Sequence, residues 1–555
     1  MAAAPVLVVG AGLGGIATAI GLALRGTPVI VLEAGDLVGG ASALSGGQVW
    51  VGANHVEERD GITDSRTLAE QYVRAIGHDH PDLLDEEALD RWLTVAPEAM
   101  AYWEEVGAVA WEVIPDLADY HDEAPGALAA GRYLTGAPFD GAALGSWRGR
   151  LHVSPYFPVG MTYSEMYLKG RRSSTLSASP TADAEADEIA DHAGVPAFGR
   201  AGGRTQATGT DTLTFGTGLV AAFLARALQE PAISWRLSAR VVSLLTDGEA
   251  VTGVRVDGPG GHEELVGPVV LATSSFDGDP ELVQELLGLQ PEDFGTLAPD
   301  TVRGDGLRLA RAAGADTVRI PATCVPMPPG WAAPGGHGSA NGPEYALPHA
   351  MIVDRTGRRF CDDSYWVDIV RRGLDPTDPH VPFFLVWDAQ HHRSYGLGTS
   401  APGAPYPDGQ VTAAPTLELL GEALGIDGAT LALTAARFNE GARRGVDPDF
   451  GRGSVPFITR FAGDPAHGPS PVLGDVAEPP FFGMRLRFVG TGIGMSGVRI
   501  DADAHVLDPS GQPIEGLFAV GSVAGYSTMG SAYNSGFALS RGLTHAYLVA
   551  QELAP

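Results

Sequence analysis

The stretch "PVLVVGAGLGGIATAIGLALRGTPVIVLEAG" places Gly10, Gly12 and Gly15 directly after the apolar run Val6–Val9. Their GxGxxG spacing is suited to holding a pyrophosphate on main chain. The first glycine permits a tight turn, the second lets the phosphates approach the backbone, and the third packs helix on strand. Leu13 and Gly14 open the helix whose amino end then faces the phosphates. Glu33, with Ala34 after it, lies at about the twenty-residue offset expected of an acid that binds a ribose hydroxyl. The chemistry these residues can do together is dinucleotide binding.

Positioning them takes a strand, a turn, a helix and a second strand. Val6–Val9 reads as a buried strand, helical periodicity runs from Ile16 to Leu24, and Val29–Leu32 makes the second strand. A further cluster follows in "AGDLVGGASALSGGQVW". Gly40, Ala41 and Ser42, then Ser45, Gly46 and Gly47, would lay more backbone N–H groups along a pyrophosphate and a flavin.

From here the chain resembles the fumarate reductase / 3-ketosteroid dehydrogenase family of FAD proteins. "ARVVSLLTDGEAVTGVRV" (239–256) resembles the family's hairpin, which implies Val241 near adenine. "VVLATSSFDGDPEL" (269–282) resembles its "LATGGF" strand and turn, with Ala272 at the cofactor and Ser274-Ser275 in place of two glycines. "SGVRIDADAHVLDPSGQPIEGLFAVGS" (496–522) resembles its carboxyl-terminal flavin segment, which brings in Gly521. The resemblance implies FAD as cofactor. No histidine for covalent attachment stands in 39–47, so the FAD is expected to be noncovalent. It also implies an α/β fold: a discontinuous Rossmann-type FAD-binding domain (1–290, with a helical excursion over 60–200, and 480–555) and an inserted α+β substrate-capping domain (291–479).

The dicarboxylate reducers of this family clamp their substrate with cations, because charge-assisted bidentate contacts demand them. Here the matching stretch "IGMSG" puts Ile493 at the histidine, and Tyr533 and Tyr365 fall where arginines would stand. Such a pocket suits an apolar body with one polar handle. That composition resembles the 3-ketosteroid dehydrogenases. "DLADYHDEAPGALAAGRYL" (116–134) resembles a segment that offers a pocket tyrosine, Tyr120. "DRTGRRFCDDSYW" (354–366) puts Tyr365 at the catalytic tyrosine, with Ser364 for the usual proline. "SAYNSGF" (531–537) resembles the carbonyl-binding stretch, with Tyr533 and a backbone N–H near Phe537. The "YxGxG" of the Δ1 enzymes is absent. "YNSG" instead resembles the Δ4-(5α) pattern, which would make Ser535 a substrate contact. Both regiochemistries stay open, with 1,2-dehydrogenation the leading expectation and a smaller cyclic ketone a further alternative.

The implied reaction removes a proton and a hydride from adjacent carbons beside a ketone. Tyr533 would polarise the carbonyl, and Tyr365, assisted by Tyr120, would take the proton. A tyrosine hydroxyl ordinarily titrates near 10, so Tyr365 must be depressed or act with a partner. Ala538 and Leu539, at the start of the last helix, would present backbone N–H groups to the flavin pyrimidine. His55 and His121 read as surface groups, and Trp50 and Trp366 as core or pocket wall.

Bulk properties agree with this class. A chain of 555 residues is too long for one core. A formal net charge of −31 argues against nucleic acid or an anionic membrane as partner. The two cysteines, Cys324 and Cys361, cannot form a disulfide framework, and no spacing suggests a metal. No apolar run is long enough to span a bilayer, so a cytoplasmic protein is expected. The polar stretch 174–212 reads as a mobile insertion. The partners implied are a hydrophobic cyclic ketone, most simply a steroid, and an electron acceptor the sequence leaves unidentified.

Overall fold

The computed structural model describes residues 4–154, 157, 160–165, 211–258, 260–333, 339–398 and 400–554. The stretch read as a mobile insertion, 174–212, lies outside the described residues as far as 210.

Val6–Val9 is a strand with all four residues buried. It lies within a six-stranded sheet, in the order His505–Leu507, Pro513–Ala519, Val269–Leu271, Val6–Val9, Val29–Leu32, Ile233–Arg236. Leu7 pairs with Val269 on one side and Ile30 on the other, both in parallel. Only the outermost pair, His505–Leu507 on Pro513–Ala519, is antiparallel. Unbroken Val/Leu runs suit strands covered on both faces. The first helix, Leu13–Leu24, begins earlier than its apolar periodicity suggests, because extended Gly12 serves as its amino-terminal cap. Beside it runs the last helix, Phe537–Leu553. A separate antiparallel sheet, Arg240–Asp247, Ala250–Gly258 and Gly261–Val266, carries Val241. This is a mixed α/β fold with a Rossmann-type parallel sheet and an inserted capping region.

Within that region, Ala350–Asp354, Phe383–Trp387, Phe481–Arg485 and Thr412–Ala414 form an antiparallel sheet in that order. Helices Leu417–Leu424 and Gly428–Ala442 pack on it, and the two layers share a small core that includes Met351, Val386, Leu420 and Leu431. Phe481–Arg485, just past residue 480, pairs with Phe383–Trp387. Arg487–Gly490 pairs with Phe294–Thr296. Arg359 and Arg452 tie this region together from inside. Arg359 bonds Asp363 and Asp447, and Arg452 donates to the carbonyls of Val472, Ala350, Tyr345 and Leu347. The "GRR" arginine at 359 is thus a buried brace.

Candidate active site

In open parallel sheets, ligands bind beyond the carboxyl ends of the strands. A cavity of about 310 Å³ lies there, lined by Val9 and Leu32 at the ends of their strands and by Val520, just past Pro513–Ala519. At its nucleotide end the wall is mostly main chain. Gly10, Gly12, Leu13 and Gly14 line it. Gly10 has φ +109°, and a Cβ there would stand 2.4 Å from the Ala272 carbonyl oxygen. Gly15 does not line the cavity; a Cβ on it would meet the Gly10 carbonyl oxygen at 2.1 Å, so it packs helix against strand. No side chain caps the Leu13–Leu24 helix, which leaves its amino end to an anion.

Glu33 and Ala34 line the same end. One Glu33 carboxylate oxygen accepts from the Ala11 N–H and the other from the Gly35 N–H, each at 2.9 Å. Burial raises the Glu33 pKa, and those two N–H groups oppose the rise. The acid is therefore aimed by backbone, with lone pairs left for a ribose. Val241 lines the cavity beside Arg240, whose guanidinium is paired with Asp305. Gly40, Ala41, Ser42, Ser45, Gly46 and Gly47 form the central wall. Ala272, Gly521, Ala538 and Leu539 complete the opposite side.

The turn carrying Ser274-Ser275 reaches the cavity without the family's two glycines. Ser274 adopts φ +63° and lines the wall. Ser275 bonds the buried Asp277, whose other oxygen accepts the Gly492 N–H at 2.7 Å. Asp277 thereby holds the loop that presents Ile493. Thr273 Oγ1, also in this turn, is buried with no protein partner. A backbone cradle, an uncapped helix end and an orphaned hydroxyl fit a bound dinucleotide.

At the other end stand Tyr533, Ser535 and Ile493. Tyr120 and Tyr365 are not part of the lining of this cavity, but they approach from two other segments. The Tyr120 ring packs on Phe457 with centroids 4.4 Å apart. The Tyr365 hydroxyl lies 3.4 Å from His121 Nδ1, and His121 Nε2 lies 3.4 Å from the Tyr533 carbonyl oxygen. Trp366 packs edge-on to Tyr533 without itself lining the cavity, while Trp50 lies in the core. Ser535 donates to Gln48 Oε1.

All three tyrosines are pushed up, not down. Burial is the main cause for each. For Tyr365 the neighbours Tyr120, Asp368, Asp122 and Asp362 add to it. For Tyr533, Tyr120 and Tyr526 do. Hydrogen bonding to Ser535 partly offsets the rise on Tyr120. Of the two routes open to a tyrosine base, depression or a partner, the protein alone offers the partner.

Phe537 is fully buried against Trp50, with centroids 4.9 Å apart, and its N–H donates to the Asn534 carbonyl. It does not line the cavity, and its amide is engaged within the turn. Sequence reasoning passed over Asn534, which organises this end. Its Oδ1 accepts from the Tyr72 hydroxyl at 2.7 Å and from the Tyr120 N–H at 3.2 Å, and its Nδ2 donates to the Tyr133 hydroxyl at 2.7 Å. The sequence signal was its place between two candidate residues. Gly536, with φ +89°, follows; a Cβ there would stand 2.6 Å from the Trp50 nitrogen.

A model of the family described as FAD binding domain matches residues 5–538. The chain belongs to that family. It is an FAD-dependent oxidoreductase, and FAD is the dinucleotide the cradle holds. It is 30% identical over 567 residues to 4-oxocyclohexanecarboxylate 2-dehydrogenase of Sinomonas cyclohexanicum, covering 99% of this chain and 92% of that one. It is 28% identical to 3-oxosteroid 1-dehydrogenase of Mycobacterium tuberculosis, covering 99% and 98%. The solved 3-ketosteroid Δ1-dehydrogenase of Sterolibacterium denitrificans, in complex with 1,4-androstadiene-3,17-dione, superposes with TM-score 0.85 at 25% identity, over 100% of both chains. These relatives set the chain among the flavoprotein dehydrogenases of the 3-ketosteroid type. Among the described residues, no helix is long and apolar enough to cross a membrane.

Proposed function

We propose that this FAD enzyme introduces a carbon–carbon double bond beside the carbonyl of a hydrophobic ring ketone, as a 3-ketosteroid 1,2-dehydrogenase. The observation that carries the reading is the character of the cavity's far end. Tyr533, Ser535 and Ile493 wall it, and among the described lining residues the only Lys or Arg is Arg240, already paired at the adenine end. A neutral, largely apolar ketone suits that wall better than a dianion does. FAD supplies the two-electron hydride acceptor. Tyr533 donates to the ketone oxygen, whose charge grows as the α-proton leaves. Tyr365 takes that proton, with Tyr120 beside it. Ser535 and the Gly536 backbone border the substrate.

Noncovalent FAD, a cytoplasmic location and a substrate cap over 291–479 belong to the same reading. Acid precipitation should release the yellow colour as FAD; colour kept in the pellet would refute noncovalent binding.

The Sinomonas relative favours a second reading, a smaller ring ketone. Anaerobic mixing of the yellow holoenzyme with a 5α-reduced 3-ketosteroid or with 4-oxocyclohexanecarboxylate separates them. Bleaching by the steroid with a new double bond at carbons 1 and 2 supports the proposal. A bond at carbons 4 and 5 overturns the regiochemistry, and bleaching by the cyclohexanone alone overturns the substrate.

A further inference from the structure

His121 follows Tyr120 in the loop after Asp116, and its sequence context suggested only a surface histidine. In the fold it is half-buried between two of the candidate tyrosines. Its main-chain N–H donates to the Tyr72 hydroxyl at 3.2 Å, and Tyr72 in turn donates to Asn534. The ring is thus attached to the network that holds the Tyr533–Ser535 turn.

The two ring nitrogens face different partners. Nε2 meets the Tyr533 carbonyl oxygen at 3.4 Å, and a carbonyl can only accept. Nε2 must then carry the hydrogen, and Nδ1 presents its lone pair. Nδ1 faces the Tyr365 hydroxyl at 3.4 Å, which must donate. Both contacts are long, as catalytic hydrogen bonds often are before substrate tightens them.

Resting on the reading of Tyr365 as base, we infer that His121 is the proton acceptor for Tyr365, so that the base is a tyrosine–histidine couple. As the substrate α-proton moves to the Tyr365 oxygen, that oxygen's own proton moves to His121 Nδ1. The C–H electron pair stays on the ketone as an enolate held by the Tyr533 hydroxyl. A neutral ketone and a neutral imidazole become an enolate and an imidazolium, and no further reactant is needed. The imidazolium keeps its Nε2–H bond to the Tyr533 carbonyl. A buried tyrosine whose pKa is raised cannot wait as a phenolate; passing its proton on as it receives another removes that requirement. Burial also lowers the His121 pKa from its ordinary value, opposed by the Tyr533 carbonyl, which leaves the ring neutral and able to accept.

Other titratable groups surround this ring. Asp119 and Asp122 lie on its own loop, and Tyr72, which faces Asp119 and Arg132, comes from the helix Arg66–Ile76. Asp362, Asp368 and Arg371 accompany Tyr365, and the turn after Ser531 brings Tyr533. The pH test therefore needs a control on a carboxylate.

The experiment is stopped-flow flavin reduction in the holoenzyme by a 3-ketosteroid as a function of pH. Protonated His121 cannot accept, so the rate should fall as pH drops through a value below the ordinary 6.5 of histidine. His121→Gln can keep both hydrogen bonds, donating to the Tyr533 carbonyl and accepting from Tyr365, but it cannot take a proton. It should reduce flavin about 10²-fold more slowly, lose the acidic limb, and show a larger isotope effect with α-deuterated substrate. Asp122→Asn should keep the limb. If His121→Gln keeps the acidic limb, or reacts within about threefold of the parent rate, the inference is overturned. Tyr365→Phe tells the two failures apart: full-rate reduction there removes the base reading itself, while a slow Tyr365→Phe beside a full-rate His121→Gln removes only the histidine.

Discussion

At the nucleotide end of the cavity the wall is main chain from one continuous stretch, Gly10 to Gly47, helped by a few short returns of the chain. At the tyrosine end, side chains from remote segments gather on and behind the wall: His121 lies 244 residues from Tyr365 and 412 from Tyr533. The first surface recognises what every FAD presents, phosphates and a ribose, with groups every residue carries. The second gathers hydroxyls, an imidazole and an amide placed by tertiary packing, and on the proposed reading it faces the substrate. Substitutions at the two ends should therefore fail differently. One end should lose cofactor and the other should lose chemistry with the cofactor in place.

The sharpest break between the ends is Tyr365→Phe. It should retain FAD at the parent flavin-to-protein ratio while the reductive half-reaction falls by about 10²–10⁴. Loss of FAD from this variant would erase the distinction, and near-normal flavin reduction would take Tyr365 out of the reaction. Next comes Tyr533→Phe. Because its hydroxyl acts as charge develops, kcat should fall by about 10²–10³, more than KM rises. An unchanged kcat would reduce Tyr533 to a packing residue against Trp366.

Gly10→Ala tests the other end. Its Cβ would run into the Ala272 carbonyl at a positive φ, a strain on the order of 1–3 kcal/mol. If that strain falls on the bound form, FAD should bind about ten- to a hundredfold more weakly, which flavin titration of the refilled protein reads. Saturating FAD should restore turnover, which it cannot do for Tyr365→Phe. The smallest effect should come from Ser535→Ala. Removing one hydrogen-bonding hydroxyl is worth about 0.5–1.5 kcal/mol, so kcat/KM should drop about tenfold or less. A larger loss, together with a shift toward the 4,5-bond, would move Ser535 into the proton path.

Legibility divides along the same line. Gly10, Gly12, Gly15 and Glu33 could be read because pyrophosphate binding imposes a fixed local spacing, strand to turn to helix, that shows within about thirty residues. The strands Val6–Val9 and Val29–Leu32 were legible because burial on both faces demands unbroken apolar runs. At the tyrosine end the sequence offered candidates, Tyr120, Tyr365, Tyr533 and Ser535, but not how they meet. It did not show that the Phe537 side chain turns into the aromatic core and its N–H into its own turn. Nor did it show that the strand Phe481–Arg485 pairs inside the capping sheet.

What the sequence alone determined, then, is a dinucleotide-binding α/β protein, with tyrosines and an isoleucine as candidates for the substrate end of its pocket. What only the tertiary structure decided is the partnership around those tyrosines. Asn534 gathers Tyr72, Tyr120 and Tyr133 through one buried amide, and His121 sits between Tyr365 and the Tyr533 carbonyl. The physical reason is that backbone recognition repeats a local pattern, whereas hydrogen bonds between side chains depend on which segments the fold packs together. A histidine reads the same in sequence whether it meets water or a tyrosine hydroxyl, and packing alone settles which.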